Sequence, residues 1–160
     1  MQAAKDTFLR TLADRLAVVN PSRTLTLDGA SRPAVIALEN EDTALGNSEP
    51  ETFQLSWEGA SQVPDGSSLM YMDCKLSYGS RGTDDMLRTD RGRILTAMDC
   101  ELLLLCRRRS AAKCDYAQTP PLPLGTKIFW SQPVMATPSE VDGMLMRTAT
   151  IRLFFFSEGV

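Results

Sequence analysis

Leu145-Met-Arg-Thr-Ala-Thr-Ile-Arg-Leu-Phe-Phe-Phe-Ser157 is the longest strand pattern in the chain, and its reading decides the fold. Successive side chains of a strand point to opposite faces. Leu145, Arg147, Ala149, Ile151, Leu153 and Phe155 therefore share one face, and Met146, Thr148, Thr150, Arg152, Phe154 and Phe156 share the other. Both faces carry large apolar groups near the end of the strand. One face is expected to meet helices of the same chain. The other is covered either by a neighbouring subunit or by more of the same chain, and the pattern leaves both open. Arg152, Phe154 and Phe156 are the candidate residues for a subunit interface.

Working outward from this strand, the preceding stretch from Pro133 to Gly143 reads as a turn, and Ile128-Phe129-Trp130 as a short strand. Before that, Thr119-Pro-Pro-Leu-Pro-Leu-Gly125 reads as a proline-rich connection. Leu87, Ile94, Met98, Leu102 and Leu105 recur at helical spacing, so a long helix is expected over residues 84–106, with Thr83 or Thr89 as its N-cap. Arg107-Arg108-Arg109 follow, where cations complement the carbonyl end of a helix and are solvated.

Phe53, Leu55 and Trp57, then Met70, Met72, Cys74, Leu76 and Tyr78, alternate with polar residues on either side of a Gly- and Ser-rich turn. They read as an antiparallel hairpin. Upstream, Arg23 to Gly29 alternates and closes on the turn pair Asp28-Gly29, and Pro33 to Glu39 is a nearly continuous apolar run expected to be the more central strand. Glu39 to Glu51 reads as an exposed acidic loop. Phe8, Leu12 and Leu16, at four-residue spacing with Leu9, Ala13 and Val19 beside them, predict an amphipathic N-terminal helix that stops before Asn20-Pro21. The expected fold is a single α+β domain over residues 1–160, with a mixed, mainly antiparallel sheet and two helices packed on one face.

A chain of 160 residues is long enough for a core that buries roughly 70% of its unfolded surface. Its 17 Lys and Arg against 20 Asp and Glu give a net charge of −3, which provides no general attraction to nucleic acid or anionic membranes. No apolar run approaches the length of a membrane span, and the N-terminus lacks the apolar block of a signal peptide, so an intracellular protein is expected.

With no histidine, a Ser-His-Asp arrangement is excluded. Cys74, Cys100, Cys106 and Cys114 lack the spacing of a zinc knuckle or redox pair and are expected as buried free thiols, with no metal. Gly79-Ser-Arg-Gly82 lacks the spacing of a phosphate loop and reads as a surface loop. The acid pairs Asp84-Asp85 and Glu39 with Glu41 lie in polar loop or helix-start stretches, where acids are ordinary. No enzyme and no cofactor is expected.

An N-terminal helix leads to a strand through Arg32-Pro33-Ala34-Val35-Ile36-Ala37-Leu38-Glu39, an acidic insertion, the Trp57 hairpin and a long helix. Lys113-Cys-Asp-Tyr116, a short strand and a final strand ending Phe-Ser-Glu complete an order that resembles the tail terminator proteins of long-tailed bacteriophages and prophages. The resemblance implies a subunit of a six-membered ring that caps the tail tube and presents the surface to which the head docks. Its implied partners are further copies of itself, the tail tube protein and a head-neck connector protein, with no membrane and no specific nucleic-acid binding. Its implied location is the bacterial host cytoplasm during assembly and then the virion tail. Two other readings stand beside it. One is a head-tail connector or neck protein; the other is a small-molecule-binding domain with a pocket between the long helix and the sheet, lined by Trp57, Tyr71, Tyr116 and Trp130.

Overall fold

The computed structural model describes residues 1–41, 49–83 and 87–157. The chain runs α1 (Gln2–Val19), β1 (Thr24–Leu27), β2 (Ala30–Pro33), β3 (Val35–Ala37), β4 (Phe53–Gln62), β5 (Leu69–Ser80) and α2 (Thr89–Leu105). It continues through β6 (Ser110–Asp115), β7 (Leu122–Trp130), β8 (Val134–Met135), β9 (Ser139–Val141) and β10 (Met144–Phe156). The architecture is α+β: a mainly antiparallel sheet of order β3-β4-β5-β10-β7-β6, with β8 and β9 pairing to the first half of β10.

The long final strand lies inside the sheet, between β5 and β7. It pairs antiparallel with β5 along its length and with β7 at its end. Ala149, Ile151, Leu153 and Phe155 are buried, and they face α1 and α2 together with Met72, Cys74, Leu76 and Tyr78 of β5. Close pairing of β5 with β10 requires glycine at position 79, because a Cβ there would run into the Leu145 carbonyl oxygen and the Met146 sulfur. Gly79 and Ser80 thus end a buried strand rather than form a surface loop.

Other expectations need correcting. Asp28 and Gly29 do form a tight turn, with φ of 50° and 78°, but it joins β1 to β2 in a separate two-stranded sheet. The apolar run after it yields β3, a three-residue edge strand parallel to β4, not a central one. Its residues are buried because α1 covers them. The proline-rich stretch is absorbed into β7, and β6 pairs with β7 as the opposite edge. Only the end of β7, Ile128–Trp130, reads as a strand in the sequence: β6 alternates poorly, and the prolines and glycine of 119–125 mask the alternation of Leu122 and Leu124 with Ile128 and Trp130.

The sheet curls around α1. Lys5 and Thr7, less than one helical turn apart, reach the two edges: Lys5 pairs with Glu39 just beyond β3 at 2.8 Å, and the Thr7 hydroxyl accepts from the Cys114 amide of β6 at 3.1 Å. On a flat sheet these edges would stand about 24 Å apart. Between them, Phe8 packs edge-on against Trp57 of β4 and Trp130 of β7, with ring centroids 6.0 and 5.3 Å away. The stripe Ala4, Phe8, Leu12 and Leu16 is fully buried, while Val19, expected beside it, is 38% exposed.

Helix α2 begins at Thr89, with Arg88 at φ 53° in the capping position, so neither threonine is its N-cap. Asp90 in the first turn accepts bonds from the Thr83 amide and hydroxyl instead. Asp84 and Asp85 lie outside the described residues. Leu95, Met98, Leu102 and Leu105 are buried, whereas Leu87 is 81% exposed and takes no part in the stripe.

Four polar side chains tie α2 down. Arg23 and Asn20 both bond Glu101, with Arg23 Nε 2.5 Å from its carboxylate. The Tyr78 hydroxyl donates to Asp99 at 2.7 Å, and Arg147 of β10 lies 2.9 Å from the same oxygen. Burial and the Asp99 charge push the Tyr78 phenol well above its usual range.

Residues 42–48 of the expected acidic loop lie outside the described residues. At its described flanks three acids are paired: Glu39 with Lys5, Glu41 with Arg32 and Glu51 with Arg23.

Met98 and Leu102 are fully buried. An aspartate at either position would place an unpaired charge in the core, a penalty on the order of 5 kcal/mol, comparable with the whole stability of a domain. Met98→Asp and Leu102→Asp are expected to abolish the cooperative thermal transition seen by circular dichroism. A variant that melts like the parent would mean that this face of α2 does not face the core.

Candidate functional site

The face of the sheet opposite the helices carries Arg152, Phe154 and Phe156. The alternation read from the sequence holds: these even-numbered positions of β10 stand opposite the buried odd-numbered row. Among the described residues no helix covers this face. Arg152 and Phe156 are exposed, Phe156 at 39%, and Phe154 is partly buried.

Register builds the surface around them. Phe154 sits directly opposite Tyr71 of β5 on one side and Phe129 of β7 on the other. The Phe154 and Tyr71 ring centroids are 6.4 Å apart, and Phe129 is 43% exposed. Phe156 stands opposite Leu69, and Val134 of β8, 70% exposed, stands opposite Thr150. A row of three aromatic rings thus crosses three strands. Cross-strand aromatic pairs of this kind hold a sheet in register while leaving apolar area to solvent.

Arg152 does not stand free for an acid on a neighbour. It faces Asp73 across the strands and binds it with two parallel bonds, Nε at 2.8 Å and Nη2 at 2.9 Å. Its guanidinium also stacks 4.6 Å from the Tyr71 ring centroid. The hydrogen bond from Arg152 holds the Asp73 carboxyl below the usual carboxylate range. Next to this pair, Lys75 meets Glu58 at 2.5 Å. Two ion pairs of the face are thus closed within the chain, while Lys127, exposed two residues before Phe129 on β7, has no ion partner among the described residues; what the face offers a partner is aromatic surface with a fixed polar centre and one cation at its side. At its end, buried Lys113 of β6 donates to the Phe156 carbonyl at 2.7 Å and fixes the last turn of the strand's path.

Sequence reasoning missed Asp73, Phe129 and Lys113, and it assigned Tyr71 to a pocket under the long helix instead of this face. Three of these four carried a signal: Tyr71 and Asp73 alternate with the buried Met72 and Cys74, and Phe129 lies between two inward residues. Lys113 carried none, because a buried lysine is recognised only through its acceptor.

The four aromatics of the suggested pocket do not converge. Trp57 and Trp130 lie under α1 against Phe8, Tyr116 stacks with Arg10 at 5.5 Å, and Tyr71 is on the open face. Among the described residues, no three Cys, Asp or Glu side chains come together as a metal site, and no helix is long and apolar enough to cross a membrane.

The cysteines are unpaired. Cys74 and Cys106 are buried, Cys114 is partly buried, and Cys100 is exposed on α2, so the expectation of four buried thiols fails there. Six residues of separation from Cys106 turn Cys100 to the solvent side of the helix. Compared with known proteins, the chain matches no family model and no curated protein.

Two outcomes follow from this geometry. Burial raises the Cys74 thiol well above its usual range and the Cys106 thiol to about 12. In native buffer a thiol reagent should modify Cys100 fast, Cys114 more slowly, and Cys74 and Cys106 only on unfolding, as read by mass spectrometry. Asp73, whose folded pKa is depressed, stabilises the fold above the usual carboxylate range, and that contribution is lost as pH falls through its lowered value. The difference in Tm between the parent and Asp73→Asn should therefore be present at neutral pH and close in acid.

Proposed function

We propose that this chain is a structural subunit of the tail terminator type, which closes into a ring on the end of a phage tail tube and presents a docking surface for the head. The observation that carries the reading is the uncovered sheet face centred on Phe154. A ring with rotational symmetry needs a patch on each subunit that meets a different patch on the next. Tyr71, Phe129, Phe154 and Phe156 supply apolar, aromatic area of the kind that dominates the centre of protein interfaces. The Arg152–Asp73 pair, already satisfied, adds polar definition without a charge that a neighbour must neutralise. The order of helix, edge strand, hairpin, long helix and final strand supports the same reading through its resemblance to terminators.

Charge supports it as well. Six copies at −3 each carry −18, so the ring as a whole gives DNA no net electrostatic attraction. No measurable binding to duplex DNA is expected at ordinary ionic strength.

The test is to add the protein to polymerising tail tubes and measure tube lengths by electron microscopy. Capped tubes with the protein at one end are expected; tubes of unregulated length with the protein still free would overturn the reading. Phe154→Ser with Phe156→Ser should reduce capping at least about tenfold while the melting transition moves down but stays cooperative, because both rings lie outside the core under the helices and Phe154 packs only across strands. Loss of the transition would assign them to the subunit's own core.

A further inference from the structure

We propose that the groove between the last turns of α1 and α2 is a docking site for an acidic, amphipathic segment of a partner protein. It lies on the helical side, away from the open sheet face, and does not depend on ring formation. The groove encloses about 430 Å³, within the range of ligand-binding clefts. Val18, Val19 and Leu104 form its apolar wall. Val18 is 81% and Leu104 51% exposed, and nothing among the described residues covers them.

Arg15 explains why the site is cationic. Three arginines after a helix would ordinarily be spent on its carbonyl end. Here Arg15 of α1 takes that place: it donates to the carbonyls of Leu105, Arg108 and Ser110, and its guanidinium stacks 5.1 Å from the Trp130 ring centroid. Trp130 Nε1 donates to the Cys106 carbonyl at 3.3 Å. With those carbonyls satisfied, the side chains of Arg107, Arg108 and Arg109 make no hydrogen bond or ion pair among the described residues. Arg107 and Arg108 line the groove, and Asp14 is the acid that accompanies them.

The complementary ligand follows from this chemistry. Unpaired guanidinium groups bind carboxylates through two parallel bonds, and an apolar wall beside them accepts the leucine-like stripe of a short helix or extended segment. Net charge selects the size of the ligand. A chain at −3 repels an extended polyanion, whereas a short acidic segment meets only the local arginines.

The test uses a fluorescein-labelled synthetic peptide with leucines on one helical face and glutamates on the other, read by anisotropy against the full chain. Saturable binding that weakens with salt is expected. Arg107→Glu with Arg108→Glu, and separately Leu104→Ser, should each weaken it about tenfold, which corresponds to about 1.4 kcal/mol. All three side chains are exposed, so both variants should melt like the parent. The Phe154→Ser, Phe156→Ser variant should bind the peptide as the parent does, which separates this site from the capping face. Absence of saturable binding would overturn the proposal. Equal binding of a peptide with lysines for the glutamates, or unchanged binding by both groove variants, would do so too. Binding to phosphatidylserine vesicles without peptide binding would make the groove a membrane contact. A self-association lost in Leu104→Ser would make it a contact between copies. Either would refute the partner segment.

Discussion

The contact on which the rest of the molecule depends is the packing of α1 on Trp130. Phe8 meets the indole edge-on at 5.3 Å, and Arg15, about two turns further along α1, lies over the same ring system. The indole nitrogen in turn holds the Cys106 carbonyl at the end of α2. One side chain of β7 therefore couples both helices to the sheet. Phe8→Ala at this hub would cost about 3–5 kcal/mol, a large part of what holds a domain of this size together. The curl of the sheet follows from it, because a helix that touches both edges draws them toward each other.

The curl divides the surface in two. On the concave side, side chains are spent on the core and on polar links such as Arg23–Glu101 and Arg147–Asp99, and the helices leave only their outer faces and the groove at their ends. On the convex side, the strands have no helix above them among the described residues. Alternation then makes the face polar in places, with Lys75–Glu58 and Arg152–Asp73, and aromatic in others. On this face two ion pairs are closed within the chain and the largest rings pack against one another across strands. The same features make it suited to contact a second molecule.

How much of this was legible in the residues varies by element for physical reasons. The parity of Leu145 to Phe156 was readable because a strand buried on one face and wet on the other must alternate, and it correctly placed Arg152, Phe154 and Phe156 together. The stripe of α1 was readable for the same reason at a period of 3.6. The rank of Val35–Ala37 was not: an edge strand under a helix is as apolar as a central one, and only tertiary placement separates them. Nor was the pairing of Arg152, whose partner Asp73 lies far away in sequence and meets it only through the β5–β10 register. Arg107–Arg109 are exposed just past the end of α2, as read from the sequence, but that the distant Arg15 is the residue hydrogen-bonded to the Leu105 carbonyl was not legible.

We propose that the convex face is the contact surface between subunits at the tube end. This is tested most directly with a photo-crosslinking amino acid in place of Phe129, which is 43% exposed and sits beside Phe154. Irradiated alone in dilute solution and then on capped tubes, the protein should crosslink to a second copy only on the tubes, at a surface of the neighbour other than its own sheet face. Capped tubes in which position 129 stays uncrosslinked, or reacts only with its own chain, would contradict the account.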